Sequence, residues 1–82
     1  MLKIKEIEEQ LKDLNEDARN WASMTPGGYS YITVNKKGVI DLDVHSVTDI
    51  FDYNYDYCYP MIAPCTLDEV LEGLDHWGIK HE

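Results

Sequence analysis

Cys58, Cys65, His76 and His81 are the side chains of this sequence best suited to hold zinc, and their spacing argues against it. The pattern reads C-x6-C-x10-H-x4-H and lacks the short cysteine knuckle that brings two sulfurs onto one ion. Asp52, Asn54 and Asp56 match the first three ligand positions of a calcium loop. The match then fails, because Tyr57 stands where a glycine must turn and Ala63 where a bidentate glutamate should close the site. Cys58 or Cys65 with His45 or His76 makes a thiol–imidazole pair, but two cysteines and three histidines offer such pairs in any chain. Pro26-Gly27-Gly28 has no phosphate-loop lysine or further glycine pattern around it. The expectation is therefore a protein that is not an enzyme and carries no metal or cofactor.

One set of residues is chemically coherent. Between Gly38 and Ile79 there is no lysine or arginine, while nine carboxylates fall there: Asp41, Asp43, Asp49, Asp52, Asp56, Asp68, Glu69, Glu72 and Asp75. Residues 1–37 hold six bases and six acids, so the whole net charge of −9 belongs to the C-terminal half. Within that half, Asp52-Tyr53-Asn54-Tyr55-Asp56-Tyr57-Cys58-Tyr59 alternates tyrosine with small residues. On a strand, Asp41 and Asp43 repeat at about 6.8 Å on one face, of the order of the charge spacing along a nucleic-acid strand. Tyrosines beside them suit stacking on guanidinium groups. The competing explanation is an acidic solvated face over half-buried tyrosines.

The elements that must position these residues are readable from periodicity. Residues 2–23 predict a helix, with Ile4, Ile7, Leu11, Leu14, Ala18 and Trp21 on one face. Thr25-Pro26-Gly27-Gly28 ends it. The stripe also satisfies three heptads, so a homodimer through this helix is an alternative to packing on a sheet, and an oligomerising structural or regulatory protein that uses this stripe is the alternative function. Residues 29–45 predict a β-hairpin: Ile32, Val34, Ile40, Leu42 and Val44 face inward, and Tyr29, Tyr31, Thr33, Asp41, Asp43 and His45 face outward. Asn35-Lys36-Lys37-Gly38 supplies its turn, with the glycine left-handed. The second part of residues 46–62 alternates, with Tyr53, Tyr55, Tyr57 and Tyr59 on one side and Asp52, Asn54, Asp56 and Cys58 on the other. That period fits a third strand, and because Asp and Asn are poor strand formers the expectation is an edge strand or an extended loop. Thr66 and Glu69 form a capping box that opens a final helix with Leu67, Val70, Leu71, Leu74 and Trp77 inward and Gly78 as its stop. Gly73 should weaken that helix by roughly 1 kcal/mol. The order predicts an α+β fold: a long N-terminal helix, an antiparallel hairpin with a third strand, and a short C-terminal helix packed on the sheet.

Eighty-two residues predict a single domain, burying about 60–65% of its unfolded surface. The N-terminus turns charged at once and no apolar run approaches a membrane span, so the expected setting is the cytoplasm. There Cys58 and Cys65 should stay reduced thiols. Excess negative charge disfavours direct binding to nucleic acid or an anionic membrane.

In size, acidity and α+β order the chain resembles small phage-encoded inhibitors of CRISPR nucleases, many of which resemble nucleic-acid mimics. The acidic tyrosine patch ending in Tyr57-Cys58-Tyr59-Pro60 is also similar in chemistry to immunity proteins that block nuclease toxins. The resemblance implies an inhibitor, active in the host cytosol, that binds the basic surface of a nuclease or CRISPR effector. Independently of it, the charge pattern selects Asp41, Asp43, Asp49, Asp52 and Asp56 to meet basic side chains, with Tyr53, Tyr55 and Tyr57 packing at the centre.

Overall fold

The computed structural model describes residues 2–24, 29–45 and 58–82, with the backbone alone at 29, 44 and 45. Along the chain lie α1 (Ile4–Met24), β1 (Tyr29–Asn35), β2 (Ile40–His45), β3 (Cys58–Ile62) and α2 (Leu67–His76). The strands form one antiparallel sheet in the order β2-β1-β3. The fold is α+β, as the residue pattern predicts.

Both helices pack on the same face of the sheet. Ile7 and Leu11 of α1 and Val70 and Leu74 of α2 meet Ile32, Val34, Ile40 and Met61 in one cluster. Register explains why these sheet residues share a face: Ile32 pairs with Met61, and Val34 pairs with Ile40. The stripe predicted on α1 is thus used inside the chain at Ile7, Leu11 and Ala18, all buried. Its far end is not, since Trp21 is half-buried and Met24 exposed.

The helix and turn signals act as their chemistry requires. Thr66 Oγ1 accepts from the Glu69 N–H, and the Glu69 carboxylate accepts from the Thr66 N–H, completing the capping box. At the other end the Ile79 N–H donates to the Leu74 carbonyl and the Gly78 N–H to the Asp75 carbonyl. Those are the two bonds of a Schellman cap, with Gly78 left-handed at φ 70°. The Gly38 N–H closes the hairpin turn on the Asn35 carbonyl, while Asn35 Oδ1 accepts from the N–H groups of Lys37 and Val39.

Hydrogen bonds from Asn35 N–H to Val39 carbonyl and from Ala63 N–H to Ser30 carbonyl fix which backbone groups point where. Odd residues of β1 bond to β2 and even residues to β3, so Cys58, Pro60 and Ile62 aim their backbone groups away from β1, at the outer edge of β3. Pro60 therefore costs no ladder bond and removes a donor from that edge. On the β2 edge, Gln10 Nε2 donates to the Ile40 carbonyl at 3.0 Å. The Leu42 N–H donates to the Asp41 carboxylate at 2.9 Å. Each edge is thereby blunted against strand addition.

Two contacts tie the layers together. Asn15 on α1 donates from Nδ2 to the Cys65 carbonyl at 2.8 Å and accepts the Cys65 N–H on Oδ1 at 3.0 Å. Gly73 on α2 lies where an added Cβ would come 3.1 Å from both Val34 Cγ2 and Tyr59 Cδ1. The glycine that weakens the helix in isolation is what lets the helix reach the central strand.

Both contacts can be tested by substitution. Gly73→Ala should be net destabilising by about 1 kcal/mol, the gain in helix propensity being outweighed by overpacking against the fully buried, β-branched Val34. A urea midpoint that rises would refute the close-approach account. Asn15→Ala should cost about 1–3 kcal/mol, because it strands both polar groups of the Cys65 peptide backbone. An unchanged midpoint would mean that water replaces the amide without loss.

Candidate interaction surface

Asp41 and Asp43 stand on the sheet face that the helices leave open. Cross-strand register puts Thr33 opposite Asp41 and Tyr31 opposite Asp43. On the other side of β1, Pro60 is opposite Thr33, Ile62 opposite Tyr31 and Cys58 opposite Asn35. Tyr31, Thr33, Asp43, Cys58 and Pro60 are half-buried there, whereas Asp41 and Ile62 are exposed. The two aspartates differ in what else they do: Asp41 holds the edge N–H of Leu42, and Asp43 lies near enough to Cys58 for its charge to act on the thiol. Burial first, then that charge, pushes the Cys58 pKa up. The other selected residues, Asp49, Asp52, Tyr53, Tyr55, Asp56 and Tyr57, lie outside the described residues.

Tyr59 belongs to the opposite side. It pairs with Val34, whose side chain is in the core, and its ring lies over Gly73 against α2. Burial pushes its phenol pKa up, and the Glu72 charge, a hydrogen bond to Glu72 and the Glu69 charge add to that. Beyond Tyr59 the rings continue: its centroid is 4.9 Å from His76, and His76 is 4.6 Å from Trp77, edge to face. The Trp77 indole donates from Nε1 to the Val34 carbonyl at 2.7 Å. Lys36 Nζ lies 5.7 Å from the Trp77 ring centre.

α2 also carries a run of carboxylates. Asp68, Glu72 and Asp75 are exposed, and their i, i+4, i+7 spacing puts them on one helix stripe in steps of about 6 and 4.5 Å. The His81 imidazole Nε2 is 3.0 Å from Asp75 Oδ1. An open concavity of about 380 Å³ beside it, lined by Asp75, Gly78, Ile79, Lys80 and His81, mixes charges and stands apart from the acidic sheet face. Reading the sequence for a site passed over this helix stripe and the ring line. The i, i+4, i+7 spacing of Asp68, Glu72 and Asp75 was the available signal.

Cys58 faces the open side of the sheet and Cys65 the core, and neither is joined in a disulfide. Among the described residues, no three His, Cys, Asp or Glu side chains are grouped to hold a metal ion. No described helix is long and apolar enough to cross a membrane. Compared with family models, with curated proteins and with solved structures, the chain matches none.

The Cys65 thiol is pushed up to about 11 from its ordinary 9.0, by burial first and the Glu69 charge second, against a lowering backbone hydrogen bond. A raised folded-state value stabilises the fold in full below the unfolded value and is lost as pH climbs through the folded one. Stability should therefore fall between about pH 9 and 11, and Cys65→Ala should flatten that slope while lowering stability overall. Urea midpoints measured across the window for both proteins check it. Equal slopes would contradict the burial of this thiol.

Proposed function

We propose that this chain is a small acidic inhibitor that occupies the basic, nucleic-acid-binding surface of a nuclease or CRISPR effector. The observation that carries the reading is charge segregation: from Gly38 to Ile79, through β2, β3 and α2, no lysine or arginine interrupts the carboxylates. Among the described residues, carboxylates from this run lie on two surfaces. Asp41 and Asp43 belong to the open sheet face, and Asp68, Glu72 and Asp75 to the outer side of α2. α1, by contrast, exposes both signs, with Lys5, Lys12 and Arg19 among Glu6, Glu8, Glu9 and Glu16.

Such a field steers a basic partner and repels nucleic acid. The reading gains further support from the burial of Ile7, Leu11 and Ala18, which withdraws half of the six-residue α1 stripe from a second chain. The choice of a nuclease or CRISPR effector as the partner rests on the class resemblance in size, acidity and element order.

Converting Asp41, Asp43, Asp52 and Asp56 to asparagine removes four charges while keeping side-chain size. The amide that replaces the Asp41 carboxylate still offers an oxygen to the Leu42 N–H. Against a basic partner recovered by affinity capture, association at low salt should slow about tenfold. The same number of changes at Glu6, Glu8, Glu9 and Glu16, all exposed on α1, should leave the rate nearly intact. Equal rates for the four-aspartate variant and the parent protein would overturn the reading.

A further inference from the structure

The rings of Tyr59, His76 and Trp77 form a surface whose chemistry is more specific than negative charge. Tyr59 and Trp77 are half-buried and His76 exposed, so the ring line is rooted in the fold and presents one side outward. Both anchors are held by the fold: the Tyr59 ring lies against Gly73, and the Trp77 indole donates to the Val34 carbonyl. Glu69 and Glu72 flank the rings on the same helix, and their charges reach the Tyr59 phenol. The ring line also sits at the C-terminal end of α2, where the helix dipole favours positive charge.

We infer that this surface binds an arginine-bearing segment of a basic protein partner, with a guanidinium lying over a ring face of the Tyr59–His76–Trp77 line and paired with Glu72. A planar guanidinium satisfies ring faces and a carboxylate together, which the compact ammonium of lysine does less well. Charge complementarity selects the occupant, since α2 carries Asp68, Glu69, Glu72 and Asp75 and neither α2 nor β3 contains a lysine or arginine. The chain itself already places one cation there: Lys36 Nζ is 5.7 Å from the Trp77 ring centre. An incoming guanidinium therefore competes with Lys36, and the neighbouring Lys37 on the same turn provides a charge-matched comparison.

The inference rests on the proposed binding of a basic partner but assigns a different surface from the open sheet face. The probe is a short arginine–glycine peptide and its lysine–glycine counterpart of equal charge, titrated at low salt while the two indole N–H resonances are followed by NMR. Trp77 should shift on adding the arginine peptide while Trp21, on α1, stays still. The lysine peptide should bind about three- to fivefold more weakly, the range of an exposed cation–π contact. Glu72→Gln and His76→Ala, both at exposed positions, should each weaken arginine-peptide binding. Lys36→Gln should strengthen it more than Lys37→Gln does. Equal affinity for the two peptides, or equal effects of the two lysine substitutions, would overturn the inference. A Trp77 resonance that never moves would do the same. Any of these failures leaves salt-sensitive binding through the sheet face standing, whereas intact arginine selectivity with unaltered partner binding by the four-aspartate variant would isolate failure of the broader reading.

Discussion

Val34 is the point on which the two layers close. Its side chain is fully buried on the central strand, and α2 reaches it only because residue 73 lacks a Cβ. The same residue offers its carbonyl to the Trp77 indole, and its cross-strand partner is Tyr59. One contact thus joins the core to the surface: the approach that buries Val70 and Leu74 also sets the rings of Tyr59, His76 and Trp77 side by side. Packing in protein interiors is dense enough that a single methyl at Gly73 disturbs both.

Around that seam the fold separates its chemistry. Among the described residues, the buried set is apolar and contains no charged side chain. The carboxylates are left to the surface, where their mutual repulsion works against compactness but opposes aggregation. Among the described residues, the sheet has two unpaired edges and one face that the helices do not cover, which is a hazard for self-association. Pro60, the Asp41 carboxylate and Gln10 answer it at the edges. Asp41 therefore has a structural use as well as a place in the acidic surface, while the charge of Asp43 acts on the Cys58 thiol.

Local signals in the sequence were legible because each is completed within a few residues. The capping box at Thr66, the glycine stop at Gly78, the hairpin turn at Asn35 and the α1 stripe all involve short spacings, and the structure has each of them. The alternation over residues 52–59 allowed an edge strand or an extended loop; β3 is an edge strand at Cys58–Ile62, sharing only Cys58 and Tyr59 with that run, and these two take opposite faces. Strand order was not, because nothing local says that β3 pairs with β1 rather than β2. The Asn15 clamp on Cys65 spans fifty residues and leaves no pattern in either neighbourhood. Gly73 looked like a cost because helix propensity is local, while its benefit lies in contact with a strand some forty residues earlier. For the candidate surface, the acids were evident from composition. That Tyr59 and Asp43 look out from opposite faces of the sheet required the register.

The central claim is that the acidic half takes the place of nucleic acid on a basic partner, and competition tests it most directly. With this chain immobilised and its partner bound, increasing amounts of the nucleic acid that the partner recognises should displace the partner, at a salt concentration where both interactions hold. Shared occupancy of one basic surface predicts complete displacement, with no ternary complex at any nucleic-acid concentration. A partner that holds nucleic acid and this chain at the same time would contradict the account.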